Sequence, residues 1–185
     1  MAATPSAMKE LGTIAPDFNL YDTVSGEMKS LNQLKSEKAT VVMFICNHCP
    51  YVIHINKELV KTAKEYIQKG VSFIAVSSND VENYPQDSPE KMKDTALEND
   101  YPFPYLYDET QETAKDYNAE CTPDIFVYNS EMKLAYRGQF DSSRPKNNEP
   151  VTGKDLRNAL DAVLGGREVD QNQIPSIGCN IKWKK

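Results

Sequence analysis

The 185 residues include only four cysteines, two histidines and one tryptophan. Four cysteines, Cys46, Cys49, Cys121 and Cys179, are too few and too unevenly spaced for a disulfide-stapled scaffold. No segment approaches the roughly 18 consecutive apolar residues of a membrane-spanning helix. The first dozen residues lack the apolar core of a secretory signal, so a cytoplasmic location is expected. Positive charge is in deficit, with 21 Lys and Arg against 27 Asp and Glu, a net charge of −6 and a pI near 5.0. Nucleic acid is an unsuitable partner for such a chain, because phosphate binding needs a basic face. Neither repeats nor low-complexity tracts interrupt the sequence. What remains, 39% apolar and 26% charged with mean hydropathy −0.60, is the composition of an ordinary globular domain. The length suits one domain without an internal boundary.

The most informative stretch runs Val41, Val42, Met43, Phe44, Ile45, Cys46, Asn47, His48, Cys49, Pro50. Its apolar, β-branched first part reads as a buried central strand over residues 40–45. Apolar residues Val52, Ile55, Leu59, Val60, Ala63 and Ile67 then recur at helical spacing, predicting a helix over 50–69 closed by Gly70. Pro50 fits the first turn, where its missing N–H costs little. Residues 71–76 read as a second buried strand. It must be parallel to the first, because the intervening helix has carried the chain back to the same end of the sheet.

On either side, residues 1–12 read as a mobile leader, and residues 12–34 as an N-terminal hairpin added to the main sheet. Downstream come a polar loop at 77–89, a helix over 89–99, an extended segment at 101–107 and a short helix at 109–118. A hairpin of strands at 124–128 and 133–137 follows, then a loop at 141–150 and a last helix at 152–164. The expected architecture is α/β: a mixed sheet with helices on both faces over residues 13–164. A tail at 165–185 packs on that domain, pinned by Ile177, Ile181 and Trp183.

A strand that delivers Cys-x-x-Cys to a helix N-terminus has the layout of a thiol–disulfide redox centre. Unpaired N–H groups there favour an anion, so Cys46 is the candidate nucleophile. Cys49, one turn on, is placed to attack a mixed disulfide on Cys46. His48 adds positive charge or a hydrogen bond, and Pro50 fixes the first turn. The competing reading is a pair of reduced core cysteines. A second marker is Cys121, Thr122, Pro123 before an apolar strand. A cis Thr122–Pro123 bond facing the cysteine pair would leave the Thr122 backbone free for an extended substrate; an ordinary trans proline opening an edge strand is the alternative.

Ala15, Pro16, Asp17, Phe18, Asn19 and Leu20, then Cys46-x-x-Cys49-Pro50, then Thr122-Pro123, then Tyr136, Arg137 and Gly138 resemble the alkyl hydroperoxide reductase/thiol-specific antioxidant type of thioredoxin-like protein. The nearest subgroup is the one called peroxiredoxin-like. The resemblance spans about residues 12–164. It implies a thioredoxin fold, Cys46 as nucleophile, Cys49 as resolver and Pro123 as the cis proline. Departures narrow what it implies. Peroxiredoxins place Pro and Thr or Ser seven and three residues before the peroxidatic cysteine. Those positions hold Ala39 and Met43 counted from Cys46, and Val42 and Cys46 counted from Cys49. Ile45 stands where thioredoxins carry tryptophan, and the central strand has no acid. His48 before the second cysteine resembles the more oxidising family members, so a redox potential above thioredoxin's is expected.

The expected activity is thiol–disulfide exchange with a protein or small-molecule disulfide, regenerated by a thiol reductant and needing no organic cofactor. Peroxide reduction at Cys46 is the second enzymatic reading. The third, from the binding class, uses Cys46, Cys49, His54 and Cys121 as ligands for copper or zinc. Against that set, Cys49 and His54 are five residues apart, about 140° around a helix. Cys121 reads as an inert core residue or as a further thiol joining the pair. Cys179 reads as part of the pinned tail or as a tail-borne resolving thiol. Arg144 and Lys146, in a loop at the rim, are expected to overhang the cysteine pair and favour a thiolate or an acidic substrate.

Overall fold

Side chains alternate across a strand, so the apolar run of residues 39–44 serves both faces of a sheet at once. The computed structural model, which describes residues 3–185, shows every residue of that strand buried. In chain order the elements are β1 (Ala3–Pro5), β2 (Asn19–Asp22), β3 (Glu27–Ser30), α1 (Leu31–Leu34), β4 (Ala39–Phe44), α2 (Pro50–Gln68) and β5 (Val71–Ser77). A 3-10 turn at Pro85–Asp87 leads into α3 (Pro89–Glu98), β6 (Tyr105–Tyr107) and α4 (Glu112–Asp116). Then come β7 (Cys121–Thr122), β8 (Asp124–Asn129), β9 (Leu134–Gly138), α5 (Lys154–Leu164) and β10 (Ile177–Asn180).

Seven strands form the main sheet in the order β3-β2-β6-β5-β4-β8-β9. The β4–β5 pair is parallel, as the sequence requires, and β8 runs antiparallel to β4 on its other side. The N-terminal hairpin joins at β6 through Tyr21 opposite Tyr107. Val41 and Met43 of β4, Phe73 of β5 and Ile125 of β8 meet Leu59 of α2, Met92 of α3 and Leu156 of α5 on one face. Val42, Phe44, Ile74 and Phe126 meet Leu31 of α1, Ala114 of α4 and Tyr117 on the other. The sheet therefore has two apolar faces, both covered.

Helix α2 buries Val52, Ile55, Leu59, Val60 and Ala63 as expected, but Tyr66 takes the last core position and Ile67 is 36% exposed. Among the described residues no helix is long and apolar enough to cross a membrane.

The two ends of the chain differ most from expectation. Residues 3–5, within the supposed leader, are a strand; Met1 and Ala2 lie outside the described residues. This strand pairs with β10, and β10 pairs with β7, making a separate three-stranded sheet. The tail is thus tied down by a backbone ladder and by Ile181, which is buried. Ile177 and Trp183, expected to pin it, are each 38% exposed. No local apolar pattern marks a pairing between segments more than 170 residues apart.

Candidate active site

Beyond β4, Ile45 keeps contact with the sheet by donating its N–H to the Val76 carbonyl at 2.9 Å. The chain then turns through Cys46, Asn47 and His48, and Cys49 caps α2 with Pro50 at its first position. Asp87, fully buried on the 3-10 turn after β5, organises this turn. Its Oδ1 accepts the Asn47 N–H at 2.8 Å. Its Oδ2 lies 2.7 Å from His48 Nδ1 and accepts the Asn79 amide at 2.8 Å. The Asn47 amide donates to the Gln86 carbonyl at 2.9 Å, and Tyr105 O–H donates to Asn47 Oδ1 at 3.1 Å. The His48 ring stacks on Tyr84 with centroids 5.8 Å apart.

Both sulfurs are enclosed, Cys46 at 2% exposure and Cys49 at 0%. Cys46 Sγ lies 4.0 Å from His48 Nδ1 and 3.5 Å from Thr122 Oγ1. Cys49 Sγ donates to the Thr122 carbonyl at 3.0 Å. The Thr122–Pro123 bond is cis. The predicted residues Cys46, His48, Cys49, Pro50, Thr122 and Pro123 are therefore brought together at one end of the sheet.

The two thiols titrate as a unit. Cys49 is drawn down to about 4, first by its hydrogen bond with Cys46, against the burial that opposes ionisation, and then by Cys179 and Thr122. Cys46 is held well above its usual range, first by that same hydrogen bond, then by burial and the Asp87 carboxylate. The hydrogen bond with Cys49, then burial, then the Asp87 carboxylate oppose a thiolate on Cys46, where the sequence reading expected it. The Thr122 carbonyl pulls the other way, since only a protonated Cys49 makes that contact.

Four residues expected near the pair have their own surroundings. Cys121 is fully buried, donates to the Pro123 carbonyl at 3.6 Å, and has its thiol pushed up by burial and Asp124, so it remains a thiol. Arg144 lines a cavity of about 20 Å³ with Tyr51, His54 and Pro123. Its guanidinium is spent on the carbonyls of Asp141 and Ser143 at 2.7 and 2.6 Å and on Gln139 Oε1 at 2.6 Å. These hydrogen bonds close on residues 139–143 rather than on either thiol. Lys146 is exposed. His54 belongs to that same small cavity rather than to the cysteines. Among the described residues, the grouping with metal-ligand spacing is Cys46, His48 and Asp87, whose donor atoms lie within 4.8 Å of one another. Both oxygens of Asp87 already hold N–H donors, which suits a hydrogen-bonded anchor better than a ligand.

Asp87 and Asn79 were not anticipated from sequence. The available signal was topological: loops after adjacent parallel strands share the sheet's C-terminal edge, so the loop after β5 must border Cys46.

A mixed sheet covered by helices, with a Cys-x-x-Cys pair at a helix N-terminus facing a cis proline, defines a thioredoxin-like protein. The AhpC/TSA family model matches residues 11–137, and the chain belongs to that family. Among solved structures, an uncharacterized conserved protein from Geobacillus kaustophilus is 57% identical with a TM-score of 0.98, over 100% of this chain and 97% of that one. A hypothetical protein from Sinorhizobium meliloti is 46% identical with a TM-score of 0.95, over 98% of each chain. Peroxidoxin BcpB from Mycobacterium tuberculosis shares the fold at 19% identity and a TM-score of 0.64, over 86% of this chain and 99% of that one. A search of curated proteins finds no match.

Proposed function

We propose that the protein is a thiol–disulfide oxidoreductase acting through Cys46 and Cys49. The observation that carries this reading is the placement of both sulfurs at the N-terminus of α2 against Thr122, beside the cis Thr122–Pro123 bond. Cys46 adjoins the partly exposed Asn47 and His48, so it is the sulfur a substrate meets first. Its proton passes along the hydrogen bond to Cys49, which can donate onward to the Thr122 carbonyl. The Cys46 thiolate attacks one sulfur of a substrate disulfide, the substrate S–S bond breaks, and one substrate thiolate leaves. Cys49 then loses its proton and attacks Cys46 Sγ; the Cys46–Cys49 bond forms and the second substrate thiol departs. Asp87 holds His48 with Nδ1 facing both the carboxylate and Cys46, so a proton on that nitrogen lies between them. A thiol reductant restores the dithiol.

Reduction of insulin disulfides by dithiothreitol tests the reading. The wild type should accelerate it, Cys46→Ser should not, and Cys49→Ser should accumulate a mixed disulfide on Cys46. A wild-type rate equal to that of Cys46→Ser would sink it.

Enclosure of both sulfurs favours a second reading, reduction of a small peroxide that can reach them where a folded protein cannot. The Cys46 thiolate would attack the peroxide oxygen, giving Cys46 sulfenic acid and an alcohol or water. Cys49 would then displace hydroxide, which leaves as water with the Cys49 proton, as the disulfide forms. Peroxide consumption no faster than that of Cys46→Ser rules this out.

A further inference from the structure

The C-terminal strand lays a third thiol on the dithiol. In the antiparallel ladder of β10 and β7, Cys179 stands opposite Thr122, the residue whose carbonyl takes the Cys49 thiol. Cys179 is 3% exposed, shares one apolar cluster with Cys46 and Cys49, and has its thiol pushed up first by burial and then by neighbouring Cys49. Its approach depends on Gly178, where a Cβ would fall 1.9 Å from the Thr122 carbonyl oxygen. The strand is gripped from both sides. Ala3 of β1 pairs with Cys179, and the Lys182 N–H donates to Asn79 Oδ1 at 2.9 Å. The amide of that same Asn79 holds Asp87. The backbone edge expected to receive a substrate is therefore occupied by the chain's own tail, with a cysteine facing the reactive pair.

We propose that Cys179 is a catalytic third thiol that accepts the disulfide from the pair, a step that rests on the dithiol reading above. The Cys179 sulfur attacks Cys49 Sγ of the Cys46–Cys49 disulfide. That bond breaks, a Cys49–Cys179 bond forms, and Cys46 leaves as a thiolate that takes up the proton released by Cys179. No external oxidant or reductant enters the exchange. The two oxidising equivalents move into a bond held beneath the tail, and Cys46 returns as a free thiol able to meet another substrate.

The test is disulfide mapping of the full-length wild type after limited diamide oxidation, acid quenching and alkylation of free thiols, followed by digestion in acid and mass spectrometry. The expected map contains both Cys46–Cys49 and Cys49–Cys179 peptides, with alkylated Cys46 in chains that carry the second bond. In Cys179→Ser, alkylation of Cys46 after oxidation should fall several-fold, and Cys46→Ser should form Cys49–Cys179 alone. If Cys46–Cys49 forms while Cys179 is alkylated in every oxidised wild-type chain, the third-thiol proposal is overturned and the dithiol reading stands. Absence of both disulfides overturns the two together. The wild-type map needs no variant, so misfolding of a mutant does not obscure the result.

Discussion

Asp87 acts on the cysteine pair in two ways that substitution can separate. Its charge helps hold the Cys46 thiol high, and its two oxygens fix Asn47 and His48. In a Cys49→Ser background, Asp87→Asn removes the charge while an amide oxygen can still accept the Asn47 N–H. The pH profile of Cys46 alkylation should then move down, by up to about one unit. An unmoved or rising midpoint would leave Asp87 as an anchor alone. The wild-type pair has its own signature. A group with a lowered pKa is ionised above that value and loses its charge as pH falls through it. Thiolate absorbance should therefore persist at neutral pH and disappear toward about 4, the value to which Cys49 is drawn. A first midpoint near the ~8.5 of free cysteine would contradict that lowering.

Two features of single elements control the region around the thiols. On β10, Gly178 permits a contact that no Cβ allows, because the opposing atom is a backbone oxygen and cannot rotate away. Gly178→Ala should push the strand off β7, so that Cys46 and Cys49 react faster with a bulky thiol reagent than in the wild type. Unchanged labelling with native stability would show that β10 does not shield them. On β8 and β9, Asp124 and Arg137 form an ion pair whose side chains are both fully buried, with Arg137 Nη2 at 3.0 Å from Asp124 Oδ2 and 2.7 Å from the Asn118 carbonyl. Burial raises the Asp124 carboxyl and Arg137 lowers it. Arg137→Met would strand a buried carboxylate, at a cost of about 3–5 kcal/mol. In urea unfolding that deficit should shrink as the pH is lowered, since the unpaired acid protonates more readily in the folded chain than in the unfolded one. A deficit under about 1 kcal/mol would mean that solvent reaches the pair.

For the whole molecule, the central consequence is that the cysteine pair packs beneath the C-terminal strand, which the N-terminal strand in turn holds by its other edge. Stabilising one thiolate favours the reduced dithiol, which makes the disulfide a better oxidant. The potential measured against glutathione should accordingly lie above the roughly −270 mV of thioredoxin; a value at or below it would refute the link between the acidic sulfur and an oxidising poise. The AhpC/TSA match ends at residue 137, whereas these end segments are residues 3–5 and 177–184. Their strands pair with one another and with β7 rather than with the main sheet, so the site is closed by parts of the chain outside the matched region.

Residues 40–76 were legible because their information is local. A β-branched run, a 3.6-residue apolar period and a proline after the second cysteine each specify conformation within a few turns of chain. The N-terminal hairpin, the β8–β9 pair and the cysteine motif were readable for the same reason. Asp87 was not, because the loop after β5 also carries Asp80 and Glu82, and only the packed 3-10 turn selects which acid meets the motif. The partners of Arg144 were not legible either, because its hydrogen bonds close within its own loop, a competition that strand order does not reveal. The tail was hardest to read: β10 has four residues, and its partners lie more than 50 residues away on one side and more than 170 on the other. Sequence alone thus determined the strand, the helix and the pair of cysteines between them. Tertiary structure decided which carboxylate anchors the motif and which third cysteine packs with the pair, because each depends on atoms brought together only by long-range packing.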